Sequence, residues 1–291
     1  MANSASLQSW ILLIVSSAIW GSSFLLMKKG LVAFTPVQVA SFRIFLAGII
    51  FLPVAISCLK KVPAKTLWLI CLVAIMGTGI PPYLFTTAQT VVDSSTAGIL
   101  NSLTPVFALI VGSLFFDQKL DKYKISGVIL GFAGILFVFS DEGILNFSMN
   151  VFALLIVLAT VFYAFSSTMV KKYFGQLDPL HLTALVLTFI AVPGGVVLFF
   201  SDPVSSFRNP GGMEAFGYIL ILALINTSFA NYLFYKMIQK STALFAQSVT
   251  YLIPVVALLL GIADGENIGI PEYSGMVLIL GGIYLINYER K

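Results

Sequence analysis

Residues 95–134 read STAGILNSLTPVFALIVGSLFFDQKLDKYKISGVILGFAG, and residues 244–282 repeat the pattern as LFAQSVTYLIPVVALLLGIADGENIGIPEYSGMVLILGG. Ala97 and Pro105 match Ala246 and Pro254 at an offset of 149, and Gln118, Gly127 and Gly134 match Glu266, Gly275 and Gly282 at 148. One residue has slipped in a loop. Each copy reads as an apolar helix with a proline near its middle, a short charged turn, and a glycine-bearing helix. A repeat longer than a solenoid unit, in a chain this apolar, points to a duplicated membrane bundle.

The duplication extends outward. WGSSFLLMKK at 20–29 aligns with YAFSSTMVKK at 163–172, and the same offset of 143 pairs Pro36 with Pro179. YLF at 83–85 matches YLF at 232–234. About 20 apolar residues cross the ~30 Å hydrocarbon core. Ten such segments are predicted, at 9–28, 36–58, 66–88, 95–116, 122–140, 150–171, 179–200, 214–237, 242–263 and 271–288. The fold expected is therefore all-α and integral to the membrane, with ten transmembrane helices arranged as two five-helix repeats, 1–145 and 146–291, around a central cavity. A unit with an odd number of crossings inserts its second copy upside down, which makes the repeat inverted.

Composition agrees. Of 291 residues, 59% are hydrophobic and 10% charged, against about 25% charged in soluble domains. The mean hydropathy is +1.01. The net charge of +4 is better read loop by loop than as a nucleic-acid signal. With both termini cytoplasmic, twelve Lys and Arg lie inside and only Lys28, Lys29 and Arg208 outside, with Arg43 within a helix. That is a positive-inside distribution, to which Lys28 and Lys29 are an exception without a reason in the sequence. Trp10 and Trp68 fall at cytoplasmic ends, as interfacial belts require, while Trp20 lies at mid-depth. No Lys or Arg precedes Trp10, so the first apolar run is expected to stay as a membrane helix.

Candidate binding residues follow from polarity at depth. Helix breaks near the midplane expose backbone groups in inverted-repeat carriers. Gly77, Gly79, Pro81 and Pro82 mark such a break in segment 3, next to Tyr83 of the repeated tripeptide. The aligned part of segment 8 holds Asn226, Thr227, Ser228 and Asn231. In segments 4 and 9, Asn101 and Thr104 correspond to a stretch with Gln247, Thr250 and Tyr251. An unpaired amide in hydrocarbon is costly, so Asn101 and Gln247 are expected to face the bundle interior, toward substrate or toward another helix. Ser16, Trp20, Ser23 and Met27 share one face of segment 1, and Tyr163 is the aligned partner of Trp20. These two aromatic residues are expected to line a cavity.

Arg43 sits roughly 10 Å from the outer end of segment 2 at 1.5 Å per residue, within reach of the interface by snorkelling. A structural role near the outer surface is the favoured reading. Pro82, Pro105 and Pro254 are expected to have structural or gating roles, Pro105 and Pro254 each near the middle of its helix. Gly127, Gly134, Gly275 and Gly282 are expected to allow close helix packing, within the monomer or across a homodimer seam.

The function classes narrow by what is missing. All twelve Asp and Glu fall in loops or at helix ends, so no deep carboxylate is available as a proton relay. The single histidine, His181, and the two cysteines, Cys58 and Cys71, make neither a metal site nor a nucleophile with its base. No catalytic residue, metal or cofactor is expected. The partners expected are a small-molecule substrate and membrane lipid, not nucleic acid.

The tryptophan-glycine-serine run on segment 1, Arg43 in segment 2, and the proline, charged turn and glycine-rich helix of segments 4 and 5 with their echo in 9 and 10 resemble the EamA-type members of the drug/metabolite transporter superfamily. The resemblance covers essentially the whole chain. It implies an inverted-repeat carrier of the plasma membrane (the inner membrane of a bacterium) that moves small metabolites, often outward, by alternating access. The chain departs from the family pattern at Gln118, where a glutamate is usual, while Glu266 keeps it. Neutral or zwitterionic solutes such as amino acids or nucleobases suit the uncharged lining. The competing reading is a lipid-handling or helper membrane protein without a soluble substrate.

Overall fold

The computed structural model describes residues 7–60, 62–116, 121–138, 147–240 and 249–286, and these contain helices and no strand. The first helices are α1 (Leu7–Gly30) and α2 (Pro36–Leu59). Thr35 and Gln38 close a capping box at the start of α2, with Pro36 fixing its first turn. The Gln38 amide also donates to the carbonyls of Ser201 (2.8 Å) and Asp202 (3.2 Å), tying α2 to the end of α9 (Pro179–Phe200).

Segment 3 is α3 (Ala64–Ala74), a π-helical turn Ile75–Gly79, and α4 (Ile80–Ala88). Pro81 and Pro82 have no N–H to give the preceding turn, so the helix widens there. Segment 8 behaves alike, with α11 (Gly212–Ile221), a π segment Leu222–Phe229, and α12 (Ala230–Lys240). It has no proline. Its polar side chains turn inward instead, Thr227 donating to the Leu222 carbonyl at 3.0 Å.

Segment 4 differs from the single helix expected. It is α5 (Ser94–Asn101) and α6 (Thr104–Phe115), separated by a turn at Ser102 and Leu103. Pro105 cannot donate to the Asn101 carbonyl, and the Thr104 hydroxyl does so at 2.8 Å. The remaining segments are α7 (Lys122–Val138), α8 (Phe147–Tyr173), α9, a short α10 (Pro203–Ser206) that the sequence pattern does not announce, α13 (Val249–Ala263) and α14 (Ile270–Ile286). Asp178 caps α9 by accepting from the Leu180 and His181 amides.

Among the described residues, seven helices are long and apolar enough to cross a membrane, and two shorter apolar helices, Leu252–Ala263 and Ile270–Leu285, accompany them. The expected start of segment 9 and the end of segment 10 lie outside the described residues. Large apolar side chains are exposed on the outside, among them Ile49, Ile50 and Ile56 on α2 and Val192, Val196 and Phe199 on α9. Water would not tolerate such a belt, and lipid favours it.

Small residues set the packing. Gly48 of α2 lies against Leu187 and Ala191 of α9, and Gly194 of α9 against Ile44 of α2. Helices α7 and α14 touch backbone to backbone. A Cβ on Gly134 would meet the Gly275 carbonyl at 2.8 Å, and one on Gly282 would meet the Gly127 carbonyl at 2.5 Å. These glycines therefore pack within the monomer. Helix α13 packs on α1 and α5, and α8 packs on α4 and α6. Pro254 lies buried inside α13, near the middle of its apolar helix as expected.

Candidate functional site

A cavity of about 170 Å³ opens among α1, α2, the two π segments, α5, α6, α8, α12 and α13. It runs from Arg43 and Trp20 toward Val170, Tyr235 and Val249, near the ends of α8 and α12 and the start of α13. Lys60, Lys171, Lys172 and Lys236 gather at that end of the molecule.

Of the residues expected to contact substrate, Trp20, Ser23, Asn101, Thr104, Tyr163, Asn231 and Thr250 line this cavity, as do Pro82 and Pro105. Two aromatic pairs face it. Trp20 packs on Phe234 with centroids 5.0 Å apart, and Tyr163 on Phe85 at 6.0 Å. Asn101 lies on the wall at the end of α5. Asn231 donates to the Thr227 carbonyl at 2.6 Å, and Ser23 to the Trp20 carbonyl at 2.6 Å.

Two expectations are corrected. Tyr83 is off the wall, its hydroxyl 2.9 Å from the Ser41 hydroxyl. The same tripeptide places Phe85 on the cavity instead, two residues and about 200° further round the helix. Asn226 is also off the wall. It is buried between helices, where its amide donates to the Ile19 carbonyl and to the Ser22 hydroxyl (3.1 Å). Its backbone carbonyl accepts from the Trp20 indole at 3.1 Å. Asn226 thus ties the π segment of segment 8 to α1 and holds the Trp20 indole. Gln247 and the side chain of Tyr251 lie outside the described residues, as does Gln118.

Sequence reasoning missed Ser166, Ser167, Phe85 and Phe234, all on the wall. Signals existed. Ser166 is the aligned partner of Ser23, and Phe85 and Phe234 occupy the same place in the repeated tripeptide.

Arg43 is the third correction. It does not snorkel to the surface; it is 8% exposed and lines the cavity. Its Nε donates to the Thr227 hydroxyl at 2.7 Å and its Nη1 to the Met27 sulfur at 3.6 Å. Among the described residues, no Asp or Glu is on the wall.

A cluster of charges gathers at the C-terminal end of α1, just beyond Met27 of the cavity wall. Lys28 Nζ lies 2.8 Å from Glu266 and 3.0 Å from Asp264, and Lys29 also pairs with Asp264. Glu266, its side chain 2% exposed, accepts from the Ser94 and Ser95 amides (3.0 Å each) and the Ser95 hydroxyl (2.7 Å). It satisfies the first N–H groups of α5, where a negative charge also suits the helix dipole. Burial works to raise the Glu266 carboxyl, and Lys28 with the serine donors more than reverses it, holding it below the usual carboxylate range. The Lys29 ammonium, helped by Lys28, likewise depresses Asp264 against the effect of burial. The two exceptional lysines now have a physical reason.

A family model described as the EamA-like transporter family matches residues 8–140 and again residues 151–288. The chain belongs to that family. Among its relatives, an uncharacterized transporter of Archaeoglobus fulgidus is 26% identical over 286 residues, covering 98% of this chain and 100% of the relative. The uncharacterized inner membrane transporter YedA of Escherichia coli K12 is 26% identical, covering 94% of this chain and 88% of YedA. A solved crystal structure matches the fold with a TM-score of 0.65 at 16% identity, over 96% of both chains. This EamA-like chain is a multi-pass membrane transporter.

Proposed function

We propose that this transporter is a ten-helix inverted-repeat carrier that exports small neutral or zwitterionic metabolites, such as amino acids, by alternating access. The observation that carries the reading is the cavity itself. It is walled by aromatic and polar side chains with Arg43 among them, and no carboxylate lines it among the described residues. Its volume of about 170 Å³ is small against the ~300–1,000 Å³ of drug-sized pockets, which favours a single-ring metabolite over a lipid.

Three features support two inverted halves, 1–145 and 146–291. The family model matches the chain twice. The π segments fall at corresponding places in segments 3 and 8. The packing survives exchange of the halves, because α1 on α13 mirrors α8 on α6, and Gly134 meets Gly275 as Gly282 meets Gly127. The orientation proposed puts both termini in the cytoplasm. Lys28 and Lys29 are neutralised by acids, so they do not oppose the lysines gathered at the other end. The cavity then faces inward, ready to load for export from a bacterial inner membrane. A monomer accounts for the glycine seam.

The test is counterflow of labelled amino acids and nucleobases in liposomes. Saturable exchange of at least one solute is expected, reduced at least about 30-fold by Asn101→Ala or Trp20→Ala with folding intact, as for loss of one or two buried ligand contacts. Exchange indifferent to both substitutions would move the site elsewhere. The absence of exchange from the whole panel would overturn the carrier reading and favour lipid handling.

A further inference from the structure

Among the described residues, Arg43 is the only charged side chain on the cavity wall, and no acid there pairs with it. Its acceptors are a hydroxyl, Thr227, and a thioether, Met27, and the thioether is a weak one. No carboxylate pairs with it among the described residues, and Asp264 and Glu266, at the end of α1 that follows Met27, are already held by Lys28 and Lys29. A guanidinium keeps its proton in proteins and offers five N–H donors in a planar fork. Burying such a charge without a counter-charge is costly.

The missing counter-charge therefore belongs to what fills the cavity. We propose that the transported solute carries one carboxylate that docks on Arg43, which makes this residue the specificity determinant between carboxylates and neutral solutes such as nucleobases. The fork matches a carboxylate through two parallel N–H···O bonds. One cation and no second base suit one negative charge rather than a dianion. Trp20 and Tyr163 then flank the apolar or aromatic body, and the amide of Asn101 on the same wall meets a further polar atom. The assignment rests on the carrier reading above for the word "transported", but the docking chemistry stands apart from it.

Two readouts separate the two claims. Thermal-shift titration of the purified full chain compares phenylacetate and phenylalanine with phenylacetamide and uracil. The carboxylates are expected to stabilise the protein at concentrations at least about 30-fold lower than the neutral compounds, the range expected of hydrogen bonds to a charged group. Arg43→Gln is expected to abolish the difference. Arg43→Lys, which keeps the charge and loses the fork, is expected to retain part of it. Equal stabilisation by phenylacetamide, an unchanged preference in Arg43→Gln, or no stabilisation by either carboxylate at tens of millimolar would overturn the proposal. If Arg43→Gln is not monodisperse, the carboxylate-to-amide comparison on the unsubstituted protein decides alone. Counterflow of labelled phenylalanine on the same preparations supplies the second readout. Carboxylate-selective binding without exchange would sink the carrier and keep the Arg43 assignment, and exchange indifferent to Arg43→Gln would do the reverse.

Discussion

Glu266→Ala is expected to lower the midpoint of thermal unfolding of the purified protein by about 6–10 °C. Four donors converge on this carboxylate, from the Ser94 and Ser95 amides, the Ser95 hydroxyl and Lys28. Removing it orphans two N–H groups at the start of α5 and leaves the Lys28 ammonium with only Asp264. A hydrogen bond to a charged group contributes about 1.5–3 kcal/mol, but Lys28 is one-third exposed and its share is screened. A total of about 3 kcal/mol follows, at roughly 2–4 °C per kcal/mol for a chain of this size. Glu266→Gln keeps one acceptor and should lose about half as much.

The same cluster gives a pH dependence whose sign is fixed. Glu266 and Asp264 are both depressed in the folded protein. Their stabilisation is complete above the ordinary carboxylate range and is lost as pH falls through the lower folded values. Unfolding midpoints should therefore be flat from neutral to mildly acid pH and drop below that range, with the drop much reduced in Glu266→Ala. A drop of unchanged size in the variant would locate the acid-sensitive group elsewhere. The cluster joins α1, α5 and the turn between α13 and α14 beyond Met27 of the cavity wall. In a Cys58→Ala, Cys71→Ala background, a Met27→Cys thiol, on the cavity wall and one residue before Lys28, should react faster with an impermeant reagent once Glu266 is gone. Unaltered labelling would mean that the cluster is a brace and not a gate.

Most of the architecture was legible because the membrane imposes length and polarity on each segment. The break in segment 3 could be read from two adjacent prolines, since a missing N–H is a local property. Its counterpart in segment 8 could be located by alignment but not explained, because its π turn depends on where Asn226 and Thr227 find partners. The site was legible in its residue types more than in its directions. Trp20, Tyr163 and Asn101 were found by depth and polarity. Tyr83 and Asn226 were misplaced because a polar side chain in a helix bundle has two solutions, a cavity or a neighbouring helix. Only packing chooses between them. Arg43 failed for a related reason. A long stem permits snorkelling, and nothing in the sequence says that Thr227 and Met27 wait on the inner side.

Adjacent glycines on α14 are expected to respond in opposite ways. A Cβ on Gly282 would lie 2.5 Å from the Gly127 carbonyl and 2.9 Å from the Gly131 amide nitrogen, both backbone atoms that cannot rotate away. Gly282→Ala must therefore push α7 and α14 apart along their seam, at the ~1–3 kcal/mol typical of overpacking or more. Gly282→Leu should leave little folded protein. At Gly281 the nearest atom is the end of the Leu130 side chain, at 3.3 Å, which can move. Gly281→Ala should be close to neutral, as should Gly217→Ala, where nothing lies within 4 Å. Monodisperse yield and thermal midpoint, measured side by side, read the difference. Size-exclusion light scattering on the same samples separates the two roles open to this seam. Because the glycines face each other inside one chain, Gly282→Ala should reduce the amount of folded protein without changing its oligomeric state. A shift from dimer to monomer at unchanged stability would mean that the seam joins two copies instead.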